Sequence, residues 1–279
     1  PNKGRLADPT LELLRDIGMR VAGVGRTLVA RVAGGAVEVL FARASDIPEF
    51  VELGAADIGI TGSDLVDEAG ADVETLLPLD YGECRLVVAV PEHSLLKQVE
   101  DIADAVVVAT AFPGLTRRYF ERHGKRVTVV PVSGATEITP YIGVADLITD
   151  LAETGSTLRK NHLTPIATIC EVRAVLIGNR KRCAALEKEV HEIVAAIGSV
   201  VAAKEKRYLM ANVPRASLDE VRRLMPGISG PTVMNLAGTD GMVAIHVVVA
   251  EKLINGLVPP LKKLGATGIL VLPIERMVM

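Results

Sequence analysis

Residues 137–158 read E-I-T-P-Y-I-G-V-A-D-L-I-T-D-L-A-E-T-G-S-T-L. An apolar run carrying two aspartates, Asp146 and Asp150, opens into an acid, small residues and hydroxyls: Glu153, Thr154, Gly155, Ser156 and Thr157. A strand ending in such a loop can do two jobs. Carboxylates at its mouth accept hydrogen bonds from sugar hydroxyls. Backbone N–H groups around Gly155, together with the hydroxyls of Thr154, Ser156 and Thr157, wrap a phosphate. Gly155 lets the backbone approach the anion with no Cβ in the way. A ligand that needs both is a ribose 5-phosphate. The same residues also suit a plainer purpose, a strand followed by a helix that Thr or Ser caps.

The flanking sequence predicts α/β layers. Strands are expected at 85–90, 105–110 and 127–132, a helix after Pro113 ending near Gly124, a second helix at about 137–142, and one long strand over 167–177. Upstream, Asp8 is placed to cap a helix with Pro9 in its first turn and Gly18 at its end. A strand follows at 37–41, then a helix capped by Asp46 with Glu49 completing a capping box and Gly54 stopping it. A strand at 57–61 leads through a loop, Thr61-Gly62-Ser63-Asp64, into another helix. Strands alternating with helices through short connections imply layered α/β packing.

An internal echo joins the two regions. Gly54-Ala55-Ala56-Asp57-Ile58 leads to Thr61-Gly62-Ser63, and Gly143-Val144-Ala145-Asp146-Leu147 leads to Thr154-Gly155-Ser156. Two similar lobes about a cleft fit this pattern, although an Ala- and Gly-rich chain also produces such matches by chance.

Residues 180–203 read as a charged helix with Val190, Ile193, Val194 and Ile197 on one side. The pattern then changes. A strand at 207–212, a helix opened by Ser217 with Glu220, strands at 233–236 and 243–250 about a turn at Thr239-Asp240-Gly241, a helix over 251–264 kinked or split at Pro259 and Pro260, and a strand at 268–273 complete a β-α-β-β-α-β order. That order is the ferredoxin-like arrangement. The expected architecture is a two-lobed region resembling periplasmic binding proteins, with lobe I formed by 1–83 plus 173–203 and lobe II by 84–172, followed by a ferredoxin-like domain over 204–279.

Bulk properties narrow the partners. With 279 residues the chain exceeds what one core usually holds, so two or three domains are expected. A net charge of −3 argues against a nucleic-acid backbone as partner, and 3% aromatic content without Trp argues against a base-stacking platform. Cys84, Cys170 and Cys183 are odd in number and lack metal-ligand spacing, so free thiols in a reducing cytosol are expected. No apolar run is long enough for a membrane span, and no signal peptide is expected. The five histidines and the serines show no nucleophile pattern, so no catalytic residue is assigned and no covalent intermediate is signalled.

The full spacing, Glu137, then Gly143, Ala145, Asp146 and Leu147, then Asp150 and Leu151, then Thr154, Gly155, Thr157 and Leu158, resembles the signature of the ATP phosphoribosyltransferases. P-N-K-G-R-L at 1–6, V-L-F-A-R-A-S-D-I-P at 39–48, V-A-T-A-F-P-G-L-T-R-R-Y-F at 108–120, G-I-S-G-P-T-V at 227–233 and L-G-A-T-G-I-L-V-L-P-I-E at 264–275 extend the resemblance to nearly the whole chain, in the family's longer form. Met242 departs from it, standing where many relatives have Trp.

The resemblance implies a reaction in which N1 of ATP displaces diphosphate from 5-phosphoribosyl 1-diphosphate, the first step of histidine biosynthesis, with Mg²⁺ as cofactor. It assigns Asp150, Glu153, Thr154, Gly155, Ser156, Thr157 and Leu158 to the phosphoribosyl diphosphate, Asp150 also to the metal, and Lys3, Gly4, Arg5, Arg43 and Glu137 to ATP or diphosphate. Asn212, Ser229 and Thr232 are expected to contact histidine, an inhibitor bound by the C-terminal domain. It further implies a cytoplasmic homo-oligomer, dimers assembling into hexamers, and a few residues preceding Pro1. A basic surface loop at 1–5 and a surface ion pair at Arg43 are the plainer alternatives. The rival from another class is a non-catalytic two-lobed solute-binding protein for a small anion or amino acid.

Overall fold

The structure, a computed structural model, describes residues 1–21, 28–32, 37–225, 227, 230–237 and 241–278. They pack as two compact units, Pro1–His191 and Glu192–Met279.

The first unit opens with α1 (Ala7–Asp16), which buries Ala7, Thr10 and Leu13. Asp8 lies inside its first turn and Leu6 holds the cap position without a side-chain bond, so the expected Asp8 cap is not formed. Gly18 follows the helix at φ 86°. β1 (Val29–Arg31) pairs antiparallel with β2 (Glu38–Leu40). α2 (Ile47–Glu52) has Asp46 at its cap position in helical backbone. Asp46 accepts the Ser45 hydroxyl at 2.8 Å rather than a helix N–H, so the expected capping box with Glu49 is absent. β3 (Ile58–Gly62) runs directly into α3 (Ser63–Ala69), leaving no loop at 61–64, and β4 (Glu74–Pro78) follows.

Then come β5 (Cys84–Pro91), β6 (Val107–Thr110), α4 (Pro113–Arg122), β7 (Thr128–Pro131), β8 (Leu147–Ala152), α5 (Ser156–Lys160), β9 (Leu163–Val172), β10 (Ala174–Gly178) and α6 (Arg180–Ala185). The expected helix at 137–142 is a single 3-10 turn, Thr136–Ile138, followed by Pro140 and by Gly143 at φ 74°. These strands form two sheets. One is antiparallel with order β3-β10-β4, and the other is mixed with order β7-β6-β8-β5-β9. In the second, β7, β6 and β8 are parallel while β5 runs antiparallel to β8 and β9.

The expected long strand over 167–177 is thus two strands in different sheets. Arg173 is the switch, and it is pinned to the start of α3: Ser63 N–H donates to Arg173 O at 2.9 Å, and Arg173 N–H to the Ser63 hydroxyl at 3.2 Å. The five-stranded sheet is covered on both faces. Val88, Val90, Val108 and Leu147 pack with Phe120 on one side, while Val87, Ala89, Ala109 and Ile148 pack with Leu158 on the other. Each Val, Leu, Ile or Phe among them contributes about 1.5–3 kcal/mol on full burial. The internal echo holds only at its start. Gly54 and Gly143 share φ values of 73° and 74°, each three residues before an aspartate and a strand. Thr61-Gly62-Ser63, however, ends β3 itself, whereas Thr154 lies beyond the end of β8.

The boundary between the units falls within α7 (Glu187–Lys204). Beyond it lie β11 (Lys206–Pro214), α8 (Leu218–Leu224), β12 (Thr232–Asn235), β13 (Met242–Ala250), α9 (Ile254–Lys263) and β14 (Thr267–Pro273), in one antiparallel sheet of order β12-β13-β11-β14. Leu209, Ala211, Val213, Val243, Ile245 and Val247 alternate inward onto Val221, Met225 and Leu261 of the helices. Ser217 spends its hydroxyl on Leu264 O at 3.1 Å, so it does not cap α8. Pro259 and Pro260 do not split α9, because the buried Leu261 and the packed Ile254 and Leu257 hold it against the core. Thr239 and Asp240, expected in a turn, and Ser229 lie outside the described residues.

Candidate active site

β8 carries the first acid to the end of the mixed sheet. Leu147, Ile148 and Thr149 are fully buried, and Asp150, opposite Val87 of β5, is the first residue with a half-open side chain. Its Oδ1 accepts the Leu151 N–H at 2.7 Å. Burial pushes the Asp150 carboxyl above the usual range; the Leu151 bond opposes this, and the Glu137 carboxylate adds to it. Glu137, the carboxylate that adds to this rise, sits on the 3-10 turn Thr136–Ile138.

The loop beyond β8 is short. Glu153 and Thr154 are exposed, Gly155 turns the chain at φ 69°, and α5 begins at Ser156. Gly155 occupies the cap position and has no side chain of its own to cap α5. The Ser156 N–H donates to the Thr154 hydroxyl at 3.4 Å, and the hydroxyls of Ser156 and Thr157 stand at the same helix start, a cluster of donors suited to an anion. The Thr154 hydroxyl donates to the Ser156 hydroxyl at 3.0 Å, which draws the two oxygens together. Leu158 is buried among Val87, Ala89 and Ile148, so it anchors the loop, and only its backbone can serve a ligand.

Arg159, which sequence reading passed over, folds back onto the loop. Its Nη2 donates to Thr154 O at 3.3 Å, and its Nη1 lies 3.3 Å from where a Cβ on Gly155 would stand. The signal was present as an arginine one helical turn after Gly155 in T-G-S-T-L-R.

The basic residues lie on the N-terminal segment and just past β2. Asn2 N–H donates to Ala42 O at 2.7 Å, which ties the Lys3-Gly4-Arg5 segment to the strand end that carries the exposed Arg43. Gly4 has φ 86° and open space around it. Arg5 is committed: its guanidinium donates to Gly82 O and stands 3.7 Å from the Asp64 carboxylate. Asp64, a second residue that sequence reading left unassigned, is 1% exposed, and its Oδ1 has no hydrogen-bond partner. Burial raises its pKa and Arg5 opposes the rise. A Cβ on Gly62 would fall 2.1 Å from that Oδ1, so only glycine fits beneath the carboxylate. Cys84, at the start of β5, feels Arg5, Asp64 and Glu153, and burial drives its thiol up to about 11.

In the second unit, Asn212 of β11 faces Ala244 of β13, and Thr232 of β12 faces His246 of the same strand. They share the sheet face opposite the helices, with the Tyr208 hydroxyl 2.7 Å from His246 Nδ1 on that face. Among the described residues no group of three or more His, Cys, Asp or Glu is arranged to hold a metal, and no helix is long and apolar enough to cross a membrane. All three cysteines are free. A cavity of about 450 Å³ near His93, Asp104 and Asp146 includes none of the site residues. Asp146 has a structural task instead, accepting the Val107 N–H at 2.8 Å where β6 begins.

Comparison with known proteins places these features in context. The family model "ATP phosphoribosyltransferase" matches residues 43–199, and the model "HisG, C-terminal domain" matches 203–276. The ATP phosphoribosyltransferase of Methanothermobacter thermautotrophicus is 48% identical over 279 residues, covering 100% of this chain and 97% of the relative. That of Methanocaldococcus jannaschii is 47% identical over 280 residues, covering 99% and 97%. A solved ATP phosphoribosyl transferase (HisG:HisZ) complex from Thermotoga maritima has a chain similar at a TM-score of 0.63 and 26% identity, covering 70% of this chain and 94% of that one.

Proposed function

The chain belongs to the ATP phosphoribosyltransferase family, an enzyme of the first step of histidine biosynthesis, and we propose that its chemistry runs at the mouth of β8. In the reaction, adenine N1 of ATP attacks the anomeric carbon of 5-phosphoribosyl 1-diphosphate, the C–O bond to diphosphate breaks, and phosphoribosyl-ATP and diphosphate form. N1 attacks through a neutral lone pair, so no strong base is needed, and the protein acts by orientation and charge control. The observation that carries the reading is the start of α5 at Gly155, with three hydroxyl residues around it, a few residues after Asp150.

Residues 154–158 hold the 5-phosphate, the hydroxyls of Thr154, Ser156 and Thr157 and the backbone around Gly155 donating to it. Arg159 adds a cation to that cradle. Asp150 and Glu153 accept the ribose hydroxyls. Bonds from those hydroxyls favour the charged carboxylate that burial alone disfavours at Asp150. Lys3, Gly4, Arg43 and Glu137 face ATP or diphosphate, with Arg5 held by Asp64 as the fixed cation of that group.

The residues suit a Mg²⁺ ion that arrives on diphosphate. Asp150 offers a half-buried carboxylate with one oxygen on the Leu151 N–H, and Mg²⁺ is usually held by one or two carboxylates plus substrate phosphates. When bound, the ion neutralises charge on the diphosphate.

The remaining assignments are part of the same reading. Lobe I comprises 1–83 plus 173–203 and lobe II 84–172, in the manner of periplasmic binding proteins. A ferredoxin-like regulatory domain over 204–279 takes histidine through Asn212, Ser229 and Thr232. The protein works as a cytoplasmic homo-oligomer, dimers assembling into hexamers. A solute-binding protein would share the two lobes, but the family match supports an enzyme.

The purified protein is to be incubated with ATP and 5-phosphoribosyl 1-diphosphate, with and without histidine, and the product followed by mass. Phosphoribosyl-ATP is expected, and less of it with histidine. No product from active-site-intact protein would defeat the reading.

A further inference from the structure

α4 is capped by another part of the fold. Its own cap residue, Phe112, makes no side-chain bond, and Pro113 opens the first turn. The next two donors, the Gly114 and Leu115 N–H groups, go to the two carboxylate oxygens of Glu68 at 2.7 and 2.8 Å. Glu68 sits on α3, which follows a strand of the three-stranded sheet, whereas α4 follows β6 of the five-stranded sheet. The tie is doubled in reverse: Arg118 of α4 donates to Asp67 O, near the carboxyl end of α3, at 2.5 Å. An acid from one side meets the positive end of a helix, and a cation from the other meets a negative end. Gly114 makes the approach possible, since a Cβ there would come within 3.1–3.3 Å of both Glu68 oxygens and of Arg118 Nη1.

The same helical turn is gripped from below. Thr116 and Thr149 are fully buried with their hydroxyls 2.6 Å apart; Thr149 donates to the Thr110 hydroxyl at 2.6 Å, and Thr110 accepts the Phe112 N–H at 2.9 Å. Asp150 is the next residue of β8 after Thr149. A continuous chain of bonds therefore leads from Glu68 through the first turn of α4 to the backbone that carries Asp150.

We infer that Glu68 is a positioning residue, clasping the two sheets of the first unit so that Asp150 and the loop after it keep a fixed place relative to the Lys3–Arg43 side. It does not touch substrate. The inference rests on the phosphoribosyl-transfer reading for its kinetic consequence and on geometry alone for the clasp.

The test uses the full chain as wild type, Glu68→Ala, Glu68→Gln and Thr116→Val. Spin labels on ketone-bearing side chains replace Leu53 and Leu95, which are 73% and 91% exposed on either side of the clasp, so the native cysteines are untouched. Glu68→Ala is expected to broaden the label-to-label distance distribution. It should also cut kcat/KM for 5-phosphoribosyl 1-diphosphate on the order of tenfold or more, since misplacing reacting groups by about 1 Å can cost roughly a hundredfold. Glu68→Gln, which keeps one acceptor oxygen, should fall between. Thr116→Val should lower kcat/KM while leaving the distances narrow. If Glu68→Ala does not fold, the isosteric Gln variant decides. A lowered melting temperature with unchanged distances and unchanged kcat and KM in the Glu68 variants overturns the inference. Wild type without turnover overturns the reaction reading instead, and the distance measurement still judges the clasp.

Discussion

Arg5 stands 3.7 Å from Asp64, a guanidinium 36% exposed against a carboxylate that retains 1% of its surface. The two charges do not balance. One Asp64 oxygen has no hydrogen-bond partner, and burial raises the carboxyl's pKa despite Arg5.

The first prediction concerns that imbalance. A carboxyl whose folded pKa exceeds its unfolded value penalises folding wherever it is ionised in both states. The penalty is complete above the folded pKa and vanishes below the unfolded one, near 3.8. Asp64→Asn should therefore raise the melting temperature at pH 7, by roughly 2–4 °C for each kcal/mol relieved. The gain should fade as pH drops toward 4. Thermal melts from pH 4 to 8 check this, and a lowered melting temperature at pH 7 with an unchanged one at pH 4 would reverse the sign.

Thr157→Ala removes one exposed hydroxyl from the start of α5. A bond to a charged group is worth about 1.5–3 kcal/mol, or roughly a ten- to hundred-fold loss in affinity for 5-phosphoribosyl 1-diphosphate. Because Thr157 is not the cap residue of α5, the melting temperature should barely move. Gly155→Val should be worse on both counts, since φ 69° disfavours a β-branched residue and Arg159 already lies 3.3 Å from the new Cβ. Calorimetric titration beside thermal melts distinguishes this from a plain capping role, which would cost stability and spare affinity.

Asn212→Ala and Thr232→Ala alter the open face of the second unit's sheet. Each should raise the histidine concentration needed for half-inhibition by about five- to tenfold, the scale of one lost hydrogen bond. Turnover without histidine should stay at the wild-type rate. Undiminished inhibition in the double variant removes these residues from the proposed histidine site.

Cys84 supplies an alkaline test. Its thiol is pushed up to about 11 from an ordinary 9.0. Between those values the unfolded chain has released the proton and the folded one has not, so stability falls as pH climbs from 9 to 11. Cys84→Ala should flatten that part of the curve. At pH 8 native Cys84 should also resist iodoacetamide, because the reactive thiolate is scarce.

Much of the structure around the end of β8 was legible because local chemistry wrote it. The apolar run ending at Asp150, the left-handed turn at Gly155 and the helix behind Pro113 all follow from residues within a few positions of one another. What failed depended on distant partners. Residues 167–177 read as one strand since nothing in E-V-R-A-V marks a change of sheet; the break at Arg173 is made by Ser63, 110 positions away. Ser217 looked like a cap and bonds Leu264 instead. Glu68 looked like any helical surface acid, and its partners lie 46 and 47 residues further on. Asp64 was overlooked for a related reason: the sequence shows a polar residue at a helix start, where a solvated carboxylate is ordinary, and only packing reveals that it is sealed.

The placing of β10 between β3 and β4 governs how the chain can be born. The centre of that sheet is made from residues 174–178, yet its two neighbours are synthesised about a hundred residues earlier. On a translating ribosome β3 and β4 emerge with no strand between them, and the intervening five-stranded sheet can close first because its strands are complete by Val172. The N-terminal segment must wait, exposed to chaperones and proteases, until residue 178 has left the exit tunnel. Nascent chains stalled before and after that point should differ sharply in the protease resistance of residues 1–82, and hardly at all in that of residues 84–172.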